Sequence, residues 1–177
     1  MSLEEFRSEV RDRKRFQFGR NWKHFLTNLN EERIKEAECS LKSMLEVKNL
    51  TGKNFLDVGS GSGLFSLAAK NLGADVVSFD YDEASVWCTS ELKNRYYKRD
   101  GTWKVMQGSI LDIKFLETLG KFDYVYSWGV LHHTGEMWRA LDNVVSLVKP
   151  KGSLFIALYN HQQFVSQYWT FVKRTYN

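Results

Sequence analysis

Asp57, Gly59, Gly61 and Gly63 stand at alternate positions and carry the strongest chemical signal in the chain. Glycine at every second place lets a backbone take left-handed conformations and keeps side chains out of a ligand's way, and a helix starting just after it offers unpaired N–H groups. Two phosphate-binding readings fail on spacing. A dinucleotide loop needs its third glycine three residues after the second, where this chain has Leu64, and a P-loop needs Gly-Lys-Ser/Thr where Gly63 is followed by Leu64 and Phe65. A carboxylate ahead of the glycines would also repel a pyrophosphate. Asp57 with Gly59, Ser60, Gly61 and Gly63 therefore predicts a cradle for a ligand end that carries positive charge. Without a ligand, the same residues read as a glycine turn with Asp57 as a capping residue.

A second acid, Asp80, closes the next apolar run, where nucleotide-binding α/β sheets place a carboxylate that accepts from both ribose hydroxyls. Its alternative reading is a helix cap or Asx turn.

These residues are positioned by a strict alternation of elements. Phe55, Leu56 and Val58 form a short apolar run, and Leu64, Leu67 and Ala68 recur at helical spacing, so the stretch reads strand, tight loop, helix. Asn30 caps a helix through Glu46, with an apolar stripe of Ile34, Ala37, Leu41, Met44 and Leu45. Ala74 to Phe79 is a second strand, followed by a helix from Asp82 or Glu83 to about Lys98 with a buried face led by Val86, Ser90 or Trp87, and Leu92. Thr102 to Gln107 and Phe122 to Trp128 are the third and fourth strands, with a helix from Lys114 to Leu119 between them. Glu136 to Val148 is a helix stopped by Pro150 and Gly152, and Ser153 to Tyr159 is the fifth strand. The pattern predicts an α/β, Rossmann-like, doubly wound, mostly parallel sheet with helices on both faces. Residues 1–48 are predicted as a helical cap or lid and residues 49–177 as the ligand-binding unit.

The glycine stretch resembles motif I of the class I S-adenosylmethionine-dependent methyltransferases, and the resemblance spans roughly residues 18 to 160. It implies methyl transfer from S-adenosylmethionine, leaving S-adenosylhomocysteine, with Asp80 on the ribose and Tyr81 against the adenine face. Ser109 and Ile110 match the adenine loop, with Ser109 standing where many relatives carry an acid. The run from Phe122 to His133 resembles motif IV of small-molecule methyltransferases, including those of quinone biosynthesis. It implies that Ser127, Trp128 and Gly129 lie near the methionine portion, and that His132 or His133 faces the acceptor as a base. Trp22, in a stretch resembling a lid, is a further cofactor contact, while Tyr159 and Asn160 are expected to end the fifth strand and line the acceptor pocket. The family adds a sixth and an antiparallel seventh strand, which this chain is expected to lack, either as a shortened domain or as a fragment. The open sheet edge that results would suit pairing with a second copy.

An apolar share of 43% supports a folded core, and the net charge of +4 is concentrated near the N-terminus, where Glu4, Glu5, Glu9 and Asp12 are mixed in. That mixture favours a solvated helix face over a nucleic-acid surface. The opening residues lack the order of a secretion signal and the apolar runs are short for a bilayer, so a cytoplasmic protein without a membrane span is the expectation. Cys39 and Cys88 lack a metal-binding spacing, and no metal is predicted. A small-molecule methyltransferase is the leading reading; a non-catalytic binding module and an RNA or protein methyltransferase are the alternatives.

Overall fold

Asn30 starts the first helix for a local reason. Its backbone is extended and its side chain accepts the Arg33 N–H at 3.0 Å, while Glu31 and Glu32 place negative charge on the first turn. The structure is a computed structural model and describes residues 25–159. Its elements are α1 (Glu31–Leu45), β1 (Asn54–Val58), α2 (Leu64–Asn71), β2 (Asp75–Asp80), α3 (Glu83–Tyr97), β3 (Trp103–Gln107), α4 (Ile113–Glu117), β4 (Phe122–Trp128), a 3-10 turn (Leu131–His133), α5 (Met137–Ser146) and β5 (Val148–Ala157).

The strands lie in the order β3-β2-β1-β4-β5, and every pairing is parallel. The order reverses at β1, so the crevice beyond the carboxyl ends of β1 and β4 is the place where such sheets hold ligands. Period-two alternation divides the strands between two cores. Phe55, Val76, Trp103 and Tyr126 pack with Leu41, Leu67, Ala68, Cys88 and Leu92 of α1, α2 and α3. Leu56, Val58, Phe79 and Val125 pack on the other face with Leu116, Leu131, Ala140 and Val144. Helices therefore cover both faces, as expected. Leu26 and α1 share the first core, so the described part of residues 1–48 packs directly on the sheet unit.

Two expectations are corrected. β5 begins at Val148 and runs through Pro150 and Gly152. Phe122 pairs with Val148 but Tyr124 pairs with Ser153, so the extra residues bulge out, with Lys151 at φ +66°. Proline is tolerated there because β5 is an edge strand among the described residues. The strand ends at Ala157, which leaves Tyr159 just past it. The buried face of α3 consists of Ser85, Cys88, Thr89 and Leu92, and Trp87 is half exposed. A large residue on that face would hold the helix away from the glycine loop. Trp22 and Asn160 lie outside the described residues, as does everything from 160 to 177, on which the expected lack of a sixth and seventh strand bears. No described helix is long and apolar enough to cross a membrane.

Candidate active site

The loop after β1 is held by its own backbone. Gly59 and Ser60 donate their N–H groups to the Phe79 carbonyl at 2.9 and 3.1 Å, which ties the loop to β2. Gly59, Gly61 and Gly63 have φ of +78°, +55° and +81°. A Cβ on Gly59 would come within 2.4 Å of the Val130 side chain, and one on Gly63 would meet the Thr89 Cα at 2.9 Å. The sequence places glycine here because Val130, just past β4, and α3 press on the loop from two sides. The Thr89 hydroxyl donates to the Gly61 carbonyl at 3.3 Å and lies 2.9 Å from Ser60 Oγ.

Two carboxylates flank this loop. Asp80 accepts the Gly61 N–H on Oδ2 and the Asp82 N–H on Oδ1, each at 2.9 Å, so it fixes the loop and the start of α3 together. A carboxylate has about four lone-pair directions, which leaves acceptor capacity for a pair of ribose hydroxyls. Burial pushes its pKa up to about 6 even though those N–H bonds, chiefly that from Gly61, pull it down. Asp57 is buried, and its Oδ2 accepts the Ser66 hydroxyl at 2.5 Å. Burial pushes its pKa up to about 7 against the pull of Ser66, and the negative charge of Asp80 adds to the rise. A buried carboxyl beside a part-buried one that repels it forms a site that a cation would relieve.

The opposite wall is aromatic. Trp128 stacks on Phe155 at 6.0 Å and on Phe65 at 6.4 Å, both nearly parallel, and Tyr126 stacks on Phe155 at 5.6 Å. Tyr126 sits in register with Asp57 on the neighbouring strand. Its buried hydroxyl has no hydrogen-bond partner among the described residues. Burial, then the charges of Asp57 and Tyr159, push its pKa well above the usual value, so it remains a donor. His132 has both ring nitrogens buried and unpartnered among the described residues, and burial lowers its pKa, which favours the neutral ring. It lies edge-on to Tyr159 at 5.0 Å and 4.0 Å from the His133 ring. The Tyr159 hydroxyl rests where a Gly129 Cβ would be, at 2.9 Å.

The structure thus gathers Asp57, the glycine loop and Asp80 on one side of the crevice, and Trp128, Gly129, His132, His133 and Tyr159 on the other. Tyr81 follows Asp80 directly, and its carbonyl accepts from Gln107 Nε2 at 3.3 Å. Ser109 Oγ accepts the Leu111 N–H at 3.1 Å, and the Ile110 side chain is buried in the second core. Ser127 is buried with its hydroxyl donating to the Val58 carbonyl at 3.1 Å, so it joins β4 to β1 rather than opening into the crevice. Asp112 caps α4 by accepting the Phe115 N–H at 3.2 Å. The residues that sequence reasoning missed are Ser66, Ser78, Thr89 and Tyr126. Ser66, in the first turn of the helix after the glycines, and Tyr126, inside the run that resembles motif IV, had a motif to draw attention; Ser78 and Thr89 did not.

Comparison with known proteins agrees with this architecture. The profile of a methyltransferase domain matches residues 56–156. The ubiquinone biosynthesis O-methyltransferase of Coxiella burnetii is 30% identical over 137 residues, covering 77% of this chain and 56% of that protein. The corresponding mitochondrial protein of Bos taurus is 29% identical over 116 residues, covering 66% of this chain and 31% of that one. The chain therefore spans about half the length of the bacterial relative. Among solved structures, magnesium protoporphyrin IX methyltransferase from Synechocystis PCC 6803 with bound SAH superposes with a TM-score of 0.63 at 19% identity, over 80% of this chain and 62% of that one. A putative S-adenosyl-L-methionine-dependent methyltransferase from Methanococcus maripaludis gives 0.64 at 13% identity, over 92% and 74%. With its sheet order, its acid-led glycine loop and a family profile spanning more than half of its length, the chain belongs to the methyltransferase domain family, the class I S-adenosylmethionine-dependent methyltransferases.

Proposed function

We propose that the chain transfers a methyl group from S-adenosylmethionine to a small-molecule acceptor. The observation that carries this reading is the pair of carboxyls, buried Asp57 and part-buried Asp80, at the ends of adjacent strands around the glycine loop, with the unpartnered ring nitrogens of His132 in the turn after neighbouring β4. The residues fit the group. Asp80 keeps acceptor capacity for the sugar hydroxyls, Asp57 and the unpartnered Tyr126 hydroxyl suit a zwitterionic amino-acid end, and Tyr81, Ser109 and Ile110 stand beyond β2 and β3 for the base.

The cofactor supplies an already electrophilic methyl group on a sulfonium, so the chain's own work is alignment and exclusion of water. Trp128, Phe65 and Phe155 make a stacked aromatic wall. His132, neutral in its apolar surroundings, can take a proton from an acceptor hydroxyl as the new bond forms, and Tyr159 fixes the face of its ring. The ubiquinone biosynthesis O-methyltransferase relatives favour an acceptor that reacts through oxygen. Trp22, in the lid-like stretch, is assigned to the same proposal as a cofactor contact, and Asn160 as a neighbour of Tyr159 on the acceptor side.

Calorimetry with S-adenosylmethionine and S-adenosylhomocysteine tests the binding half; no heat and no thermal stabilisation with either would sink the reading. Release of S-adenosylhomocysteine in the presence of pooled phenolic and other small metabolites tests transfer. Binding without release across such pools would favour a non-catalytic module.

A further inference from the structure

A chain of four hydrogen-bonding side chains crosses the first core from the edge strand to the glycine loop. Trp103 Nε1 on β3 donates to Ser78 Oγ on β2 at 2.9 Å. Ser78 Oγ and Ser66 Oγ of α2 lie 2.7 Å apart, and Ser66 Oγ lies 2.5 Å from Asp57 Oδ2 on β1. All four residues are buried. While Asp57 is ionised, the direction of every proton in this chain is fixed by its ends. An indole N–H can only donate and an ionised carboxylate can only accept, so each serine hydroxyl must accept from the tryptophan side and donate toward Asp57. A proton on Oδ2 would turn the last bond around. Ser66 would then donate to Ser78, which already accepts from Trp103, and the Ser78 proton would lose its acceptor inside the core.

We propose that Ser66, Ser78 and Trp103 are positioning residues: together they favour the ionised Asp57 carboxylate against its burial, with Oδ2 occupied and Oδ1 left to receive the cationic amino end of the bound nucleoside. The role assigned to Oδ1 rests on the functional reading above; the polarity of the chain does not. Ser66 alone could orient a carboxylate. Ser78 and Trp103 matter because a hydroxyl that is itself receiving a hydrogen bond donates more strongly, and because together they leave Ser66 one direction in which to give its proton. The titratable groups acting on Asp57 are Asp80 at the end of β2, which opposes ionisation, and Tyr126 on β4, whose phenol responds to the Asp57 charge. From α2 the contacts are the Ser66 hydroxyl and, with a weaker pull, the Ser66 backbone N–H, which Ser66→Ala retains.

The test uses the whole chain. Carbon-detected NMR follows the Asp57 carboxyl through a pH titration without ligand, in the wild type and in Ser66→Ala, Ser78→Ala and Trp103→Phe. Loss of a hydrogen bond to a charged group predicts a midpoint raised by about one to two pH units in Ser66→Ala, and by a smaller amount in the two outer variants. Calorimetry with S-adenosylhomocysteine supplies the second reading. Affinity at pH 6.5 falls about tenfold or more in Ser66→Ala, and the loss shrinks at pH 8.5, where Asp57 ionises without help. A defect confined to packing would weaken binding equally at both pH values. Unmoved Asp57 midpoints in both Ser66→Ala and Ser78→Ala overturn the proposal, and if Ser66→Ala does not fold, the Ser78→Ala and Trp103→Phe titrations decide it. A wild-type chain that binds no nucleoside would overturn the functional reading instead, while its carboxyl titration would still judge the relay.

Discussion

Asp57 gives the protein a pH dependence opposite to that of most carboxylates. Its pKa in the folded chain is pushed up to about 7 from an ordinary 3.8, mainly by burial. The folded state then binds more protons than the unfolded one across that interval, so the stabilising contribution is complete below about pH 4 and is lost as pH rises toward 7. At 1.36 kcal/mol per unit the full loss is about 4 kcal/mol, of which about 2.5 kcal/mol falls between pH 5 and pH 8. The perturbation is Asp57→Asn, which keeps the shape and the acceptor for Ser66 but cannot ionise. Urea denaturation of the ligand-free chain at pH 5 and pH 8, for both proteins, isolates the effect. Asp80, raised to about 6, contributes a loss of the same sign in both proteins. His132, whose pKa is lowered, contributes in the opposite direction in both proteins and cancels in the difference. Asp57→Asn should therefore lose clearly less stability than the wild type from pH 5 to pH 8. Equal losses in the two proteins, or a wild type that gains stability over that range, would refute the reasoning. A saturating cationic ligand should flatten the wild-type curve.

Three other perturbations follow from the same geometry. Asp80→Ala strips the acceptor from the Gly61 and Asp82 N–H groups and should cost about 1–3 kcal/mol in denaturation midpoint, with calorimetry showing at least about tenfold weaker S-adenosylhomocysteine binding. Gly63→Ala forces a Cβ to within 2.9 Å of the α3 backbone at φ +81°, and thermal melting should report a loss of about 1–3 kcal/mol. His132→Gln should leave S-adenosylhomocysteine affinity within a few fold while turnover on an oxygen acceptor falls by about 10²- to 10⁴-fold, with the pH–rate profile losing its acidic limb.

The order of strands and helices and the loop between β1 and α2 were legible because they rest on local signals: alternation, helical spacing and the acid-led glycines. The face of α3 was not. Ser85, Cys88 and Thr89 are small and partly polar, so apolar periodicity pointed to Trp87, whereas the tight seat against the loop demanded the small residues. The start of β5 was hidden for a related reason. Pro150 and Gly152 read as stops, but an edge strand can bulge around them. Asp57 and Asp80 could be named as the acids of the site from their place at strand ends. That Asp80 also clamps Gly61 could not be, since a bond from the end of one strand to the loop after another leaves no trace in spacing. Ser78 and Trp103 were invisible individually, because each is an ordinary strand residue until β1, β2 and β3 are laid side by side. The approach of Tyr159 to His132 likewise depends on β5 returning next to β4.

The seat of α3 on the glycine turn has a kinetic corollary. With nothing bulkier than threonine between helix and turn, the cradle cannot flap open unless a four-turn rod lifts off the sheet. Its shape is set when the chain folds, little ordering remains for the arriving guest to impose, and traffic in and out must pass through the mouth above β1 and β4. Exchange rates should then follow whatever covers that mouth and be indifferent to substitutions on the far side of the helix.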